Sequence, residues 1–141
     1  MQTNPLHSCY SQCMRSANKA INDHYARRLE PTGVAVVQFS MLYSVGQLGR
    51  CGVCELAEAV DLDYSTVARS IKPLIERGLL ADESDGRTRQ RQLTLTDAGR
   101  RTVATGLPLW EQAQRDVREL LGADEVEHLR DTLSKLEQMA D

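Results

Sequence analysis

The sequence lacks the features of several common protein classes. It has no low-complexity tract and no collagen-like repeat, and its 41% apolar and 26% charged residues match an average globular protein. The longest uncharged stretch, 31–49, contains several polar side chains, whereas a membrane span takes about 20 mostly apolar residues. No basic-then-apolar signal peptide opens the chain. We therefore expect a cytoplasmic protein with no membrane span, and 141 residues fit one domain or one domain with a helical extension.

The overall positive charge of many nucleic-acid-binding proteins is also missing, since the net charge is −3 and the pI about 5.6. The charge is uneven, however. Residues 63–101 contain 8 Lys and Arg against 6 Asp and Glu, whereas residues 110–141 contain 4 against 9. The sharpest basic cluster consists of Arg87, Arg89, Arg91, Arg100 and Arg101. Any DNA binding must depend on this local charge, because exposed charges act over a Debye length of only about 8–10 Å.

Common catalytic patterns are absent from the sequence. It contains no phosphate-binding glycine loop and no Ser/His/Asp order, and no β-α-β pattern surrounds its C-x-x-C pair. The three histidines, His7, His24 and His128, show no ligand spacing with one another and are interpreted as surface residues. These absences weigh against an enzyme.

Four cysteines leave two interpretations open. Cys51 and Cys54 form C-x-x-C, and Cys9 and Cys13 are four residues apart on a predicted helix. Both spacings suit two thiolates on one Zn²⁺ or a thiol pair that oxidises, and a hairpin of the first two helices would bring Cys51 back towards Cys9. Free buried cysteines are the other explanation, because they are common in protein cores and the cytosol is reducing.

Hydrophobic periodicity predicts a mainly α-helical chain. The predicted helices cover residues 8–29, 36–45, 51–60, 64–77, 96–121 and 124–140. Asp63 is the expected N-cap of the fourth helix, Gly78 its left-handed end, and Gly106 and Pro108 are expected to kink the fifth.

A change of period from 3.6 to 2 at 79–82 and 90–96 predicts a β-hairpin, with a turn at 84–87. A hairpin after two short helices is a winged helix-turn-helix. We predict this unit at 49–97, with dimerisation helices at 1–48 and 98–141. The apolar stripes of the outer helices need a partner, and a two-fold homodimer supplies one.

The chain resembles the MarR family of bacterial transcription regulators over nearly its full length. The resemblance is carried by residues 36–42, 56–60, 65–69, 74–80, 85–87 and 95–99. It implies an obligate dimer that binds a pseudo-palindromic operator, usually as a repressor released by a small molecule or by thiol oxidation. It also implies that Asp85 pairs with an arginine of the wing.

The predicted DNA-binding residues lie on the fourth helix and in the wing. On the helix they are Tyr64, Ser65, Thr66, Arg69, Ser70 and Lys72, and in the wing Asp85, Arg87, Arg89 and Arg91. Arg69 is the best candidate for a bidentate guanine contact, and Lys72 is expected to meet a phosphate. Arg87 is expected to enter the minor groove.

A small aromatic ligand is a further candidate partner. Trp110, Tyr25, Tyr43 and Phe39 either line a pocket between the dimer helices and the winged domain or belong to the core. The resemblance implies aromatic acids at such a position.

The competing hypothesis is a small thiol oxidoreductase that uses Cys51 and Cys54. Replacing both residues with serine separates the two functions: a reductase loses its turnover of a disulfide substrate, whereas a repressor keeps its affinity for duplex DNA. Both quantities are measured on the same purified variant, and loss of disulfide reduction would establish the enzyme.

Overall fold

In the computed structural model, residues 5–85 and 90–140 are described. Six α-helices and two β-strands follow one another in these ranges: α1 Tyr10–Leu29, α2 Val36–Leu48, α3 Val53–Val60, α4 Tyr64–Glu76, β1 Leu80–Asp82, β2 Leu93–Leu95, α5 Asp97–Leu121 and α6 Ala123–Glu137. Short 3₁₀ turns at Pro5–Ser8 and Glu30–Thr32 precede and follow α1. The predicted mainly α fold with a small hairpin is confirmed.

Helix ends are set by the local signals seen in the sequence. The Asp63 carboxylate accepts the N–H of Thr66 at the start of α4, and the Thr96 hydroxyl accepts the N–H of Gly99 at the start of α5. Gly78 and Gly122 follow helices α4 and α5 with φ of 73° and 86°, a region open to glycine because it has no Cβ.

The helix-turn-helix is closed by a left-handed aspartate. Asp61 ends α3 with φ 56° and ψ 48°, a conformation that Asp and Asn adopt more readily than other side chains. The N–H of Leu62 then donates to the carbonyl of Ala57 at 3.0 Å. This geometry turns the chain within three residues into α4.

The hairpin is shorter than the predicted one. Strands β1 and β2 are antiparallel, and Leu80 pairs with Leu95 and Asp82 with Leu93. Leu93 also forms a backbone bridge with Cys51, with N···O distances of 3.1 and 2.7 Å. Because Cys51 is held by this bridge, α3 begins at Val53 rather than at Cys51, with Gly52 as its N-cap.

The core lies between α2, the helix-turn-helix and the hairpin. Its fully buried large side chains are Leu29, Met41, Leu42, Val45, Leu56, Val67, Ile71, Leu74, Leu80 and Leu93. Helix α6 contains no buried residue, and α1 contributes only Leu29. Many apolar side chains of the outer helices therefore remain exposed, among them Leu120 on α5 (84%), and Met139 just after α6 is 80% exposed.

Helix α5 runs through both Gly106 and Pro108. Gly106 is buried, and a Cβ added there would lie 2.3 Å from Cε2 of Phe39. The glycine therefore allows the Phe39 ring of α2 to pack directly on the backbone of α5, a function that the sequence did not reveal.

We expect Gly106→Ala to lower the free energy of unfolding by about 1–3 kcal/mol, since overpacking forces neighbours out of their positions. Alanine is intrinsically favoured over glycine in a helix by about 1 kcal/mol. A net decrease in the free energy of unfolding must therefore come from the clash with Phe39. Urea unfolding provides the measurement.

A double-mutant cycle with Phe39→Leu is the control for this clash. In the Gly106→Ala background, Phe39→Leu is expected to be less destabilising than in the original chain, because the smaller side chain relieves the clash. Additive effects of the two substitutions would contradict the assigned contact.

Candidate functional site

Helix α4 has one buried face and one exposed face. Val67, Ile71 and Leu74 are fully buried against the core. Ser65, Arg69 and Lys72 recur at the same spacing on the opposite side and are exposed. Tyr64 precedes them and is 57% exposed. The helix therefore presents a hydroxyl and two cations to solvent from a rigid base.

Two of the predicted contact residues use their hydroxyl groups within the helix. The Thr66 hydroxyl donates to the Asp63 carboxylate at 2.5 Å, and the Ser70 hydroxyl donates to the Thr66 carbonyl at 2.9 Å. Both residues are half-buried. Their hydrogen bonds support the start of α4, so Ser65, Arg69 and Lys72 are the better candidates for direct recognition.

The N-cap of α4 keeps a negative charge at the helix start. The hydroxyl of Thr66, and after it the Thr66 N–H, hold the pKa of Asp63 below its ordinary value, and the charge of Arg69 acts in the same direction. A carboxylate at this position stabilises the helix through its N-terminal N–H groups.

The base of the wing is organised by Asp82. Its Oδ1 accepts the N–H groups of Ser84 (3.0 Å) and Gln92 (3.1 Å), and its Oδ2 lies 3.6 Å from Nη1 of Arg91. Partial burial raises the pKa of Asp82, but the hydrogen bonds from Ser84 and Gln92 and the charge of Arg91 outweigh it and lower the pKa overall. Arg91, one of the predicted DNA-binding residues of the wing, is thus paired with Asp82.

The remaining wing predictions are only partly covered. Asp85 is exposed, and Arg87 and Arg89 lie outside the described residues. Sequence reasoning missed Arg50, which forms an ion pair with Glu83 and donates to Gln92 Oε1 at 3.3 Å. Arg50 reaches the wing because the next residue, Cys51, forms a backbone bridge with Leu93. The two segments are far apart in the chain, so no sequence signal indicates this pairing.

A cavity of about 460 Å³ lies between α1, α2 and α5. Its walls are Ile21, Asn22, Tyr25, Val36, Phe39, Ser40, Tyr43, Leu107 and Trp110. All four aromatic residues predicted as pocket candidates are among them. Phe39 is 4% exposed and also belongs to the core, so the two interpretations of this residue both hold.

The two longest helices are joined beside this cavity by a carboxylate of α5. Asp116 Oδ2 lies 2.7 Å from His24 Nε2 and from Nη2 of Arg28, and Gln112 donates to Oδ1 at 3.0 Å. These hydrogen bonds, that from Arg28 first, hold the pKa of Asp116 well below its ordinary value of 3.8. The interpretation of His24 as a lone surface residue is therefore wrong.

The four cysteines do not form a shared site in one chain. All are free thiols: Cys51 is buried, Cys9 half-buried, and Cys13 and Cys54 are exposed. Over residues 5–85 and 90–140, no three His, Cys, Asp or Glu side chains are grouped closely enough to hold a metal ion. Burial, and then the charge of Glu55, raise the pKa of Cys51, which disfavours its reactive thiolate form.

Together, the helix pair α3 and α4 and the hairpin that follows it define a winged helix-turn-helix protein. Residues 35–88 match the model of the MarR family. The resemblance to the MarR family of transcriptional regulators seen in the sequence is thus confirmed over this part of the chain. Across the part of the chain that the structure describes, no helix is long and apolar enough to cross a membrane.

Solved structures extend the likeness beyond the family domain. A probable transcriptional regulator from Pseudomonas aeruginosa is 26% identical, with a TM-score of 0.83 over 93% of this chain and 98% of the other. M. tuberculosis MosR, solved in complex with DNA, is 26% identical, with a TM-score of 0.81 over 94% and 96%.

A third structure shares the fold at lower identity. BpsR of Bordetella bronchiseptica, whose DNA binding is regulated by 6-hydroxynicotinic acid, is 22% identical, with a TM-score of 0.85 over 98% and 99%. Among curated proteins, the sequence finds no match.

We expect the Asp116 network to make stability pH-dependent. The pKa of Asp116 is lower in the folded chain than in the unfolded chain. The contribution of Asp116 to the free energy of unfolding is therefore complete above about pH 4, and it is lost as the pH falls towards the pKa of the folded chain. Asp116→Asn should therefore be less stable than the original chain at pH 6, and the difference should shrink between pH 4 and pH 2.

Urea midpoints measured across this range provide the test. Asp23→Asn is the control, since Asp23 is an exposed aspartate on α1 that forms no ion pair with a described residue. A pH-independent difference between Asp116→Asn and the original chain would contradict the assigned charge interaction.

Proposed function

We propose that this chain is a homodimeric repressor that binds a pseudo-palindromic operator in duplex DNA and is released by a small aromatic ligand. The observation that carries the proposal is the exposed stripe of Ser65, Arg69 and Lys72 on a capped helix that is anchored over the core. A helix of this kind fits the major groove, where Arg reads guanine and Lys meets phosphate.

The exposed apolar surface of the outer helices supports a dimer. A groove of about 740 Å³ runs between α1, α5 and α6, and its apolar walls include Ile21, Val117, Leu120 and Leu129. Leu133 and Leu136 continue this surface along α6 at 38% and 39% exposure. A second copy of the chain covers such a face, and two-fold symmetry places two recognition helices on successive turns of the duplex.

The charge distribution favours DNA binding through α4 and the wing. Residues 63–101, which contain α4 and the wing, have a local excess of two positive charges, and residues 110–141 have an excess of five negative charges. DNA therefore meets the basic half of the molecule, and the acidic helices point away from it, where salt screens their charge.

The cavity supports release by a ligand. Helix α2 forms one wall of the cavity through Val36, Phe39 and Ser40, and its Met41 and Leu42 are buried in the core below the recognition helix. A ligand that binds better when α2 is displaced shifts the population towards a second form of the dimer. In that form the distance between the two copies of α4 no longer matches the operator. BpsR, which shares the fold, is regulated by an aromatic acid.

This function accounts for more of the chain than a thiol enzyme does. The family match covers the helix-turn-helix, and the raised pKa of Cys51 is opposite to what a catalytic thiol needs. Cys51 is also fixed by its backbone bridge to Leu93, which indicates a structural residue.

The experiment is selection of bound duplexes from a random library, followed by fluorescence anisotropy with the selected sequence. Arg69→Ala is expected to weaken binding by about 1–3 kcal/mol per contact and to relax the preference for one base pair. The matched control is Arg15→Ala, which removes the same charge from the exposed side of α1 and is expected to leave the affinity within about twofold of the original.

Equal affinities of Arg69→Ala and the original chain for the selected duplex would remove α4 from the interface. Binding that does not weaken with added salt would argue against DNA as the partner, because phosphate contacts release counterions.

A further inference from the structure

The chemistry of the cavity walls specifies more than an aromatic ligand. Of the nine residues around the cavity, none has a side chain that is charged at neutral pH. Two are tyrosines, and burial raises the pKa of Tyr25, so its phenol remains neutral. The cavity therefore offers no positive charge to a carboxylate.

Two cations close to Tyr25 in the structure, Arg28 and Arg118, are not among the residues that form the walls of the cavity. Arg28, on α1, places its Nε and Nη2 2.7 Å from Asp116 and is held there by that ion pair. Arg118 interacts electrostatically with Tyr25, but it lines a separate, smaller cavity together with Arg130. An anion in the 460 Å³ cavity would give up part of its water without an ion pair from any wall residue, which is costly.

Polar groups that form neutral hydrogen bonds are nevertheless present. The walls contain the Asn22 amide, the Ser40 and Tyr43 hydroxyls and the Trp110 indole N–H. The Tyr25 hydroxyl donates to Gln114, whereas these four side chains form no hydrogen bond to another described residue. A ligand with hydroxyl, carbonyl or amide groups would satisfy them, and the aromatic walls suit stacking with its rings.

We propose that this cavity binds an uncharged aromatic molecule of two or three rings with hydroxyl, carbonyl or amide substituents, and that it rejects the corresponding carboxylate. A volume of about 460 Å³ lies within the range typical of small-molecule sites. The proposal deepens the proposed function, since it names the ligand class of the same regulatory cavity.

The test compares two ligands of equal shape and different charge. Isothermal titration calorimetry of the full chain is carried out with 3-hydroxy-2-naphthamide and with 3-hydroxy-2-naphthoate at pH 7. We expect the neutral amide to bind at least about tenfold more tightly than the carboxylate, because only the carboxylate buries an unpaired charge. Equal affinity, tighter binding of the carboxylate, or no binding of either compound would overturn the proposal.

Introducing a cation into the wall should reverse the preference. Ser40→Arg places a guanidinium on the α2 wall, and its matched control, Gln47→Arg, adds the same charge at an exposed position of α2 outside the cavity. The first variant is expected to favour the naphthoate and the second to keep the preference for the amide. Asn22→Arg repeats the test from the α1 wall if Ser40→Arg does not fold. A preference for the amide in every folded wall variant would contradict the electrostatic explanation.

The affinity for the selected DNA duplex is measured on the same samples without ligand. Normal DNA binding combined with a preference for the naphthoate rejects the ligand class and leaves the repressor function standing. If the original chain does not bind duplex DNA, the proposed function is rejected, whatever the calorimetry shows.

Discussion

The packing of Phe39 on Gly106 is the contact on which the arrangement of this molecule depends. Phe39 projects from the helix that enters the core of the winged domain, and Gly106 lies in the middle of the long helix that leads to the C-terminus. Only a residue without a Cβ allows the two helices this approach. The same phenyl ring forms part of the cavity wall, so the cavity and the core of the winged domain share one side chain.

In the function proposed above, such sharing lets a molecule in the cavity act on α4, a helix that it does not touch. Helix α2 contributes Met41, Leu42 and Val45 to the same buried core as the inward face of α4, and close-packed cores transmit displacements rather than absorb them. Asp116, which lines the groove between α1, α5 and α6, ties α1 to α5 through His24 and Arg28. The cavity therefore lies between two helices that an ion pair joins, α1 and α5, and a third helix, α2, that also packs into the core of the winged domain.

Local signals in the sequence were sufficient for much of the fold. Asp63 and Gly78 were predicted at the ends of α4 and act there through a hydrogen bond and backbone freedom, and Thr96 and Gly122 do the same for α5. Features made by distant residues were not predictable in this way. The bridge between Cys51 and Leu93, the Arg50–Glu83 pair and the contact of Gly106 with Phe39 join segments that are far apart in the chain. The aromatic residues of the cavity could be named in advance, but the absence of charge among all nine wall residues required their positions.

Trp110 is the single tryptophan of the chain, and it stands in the cavity wall at 37% exposure. Its fluorescence consequently originates from the wall of the cavity that we propose as the ligand site. The protein thus contains an optical reporter that needs no label, because a molecule that enters this cavity changes the surroundings of the single tryptophan.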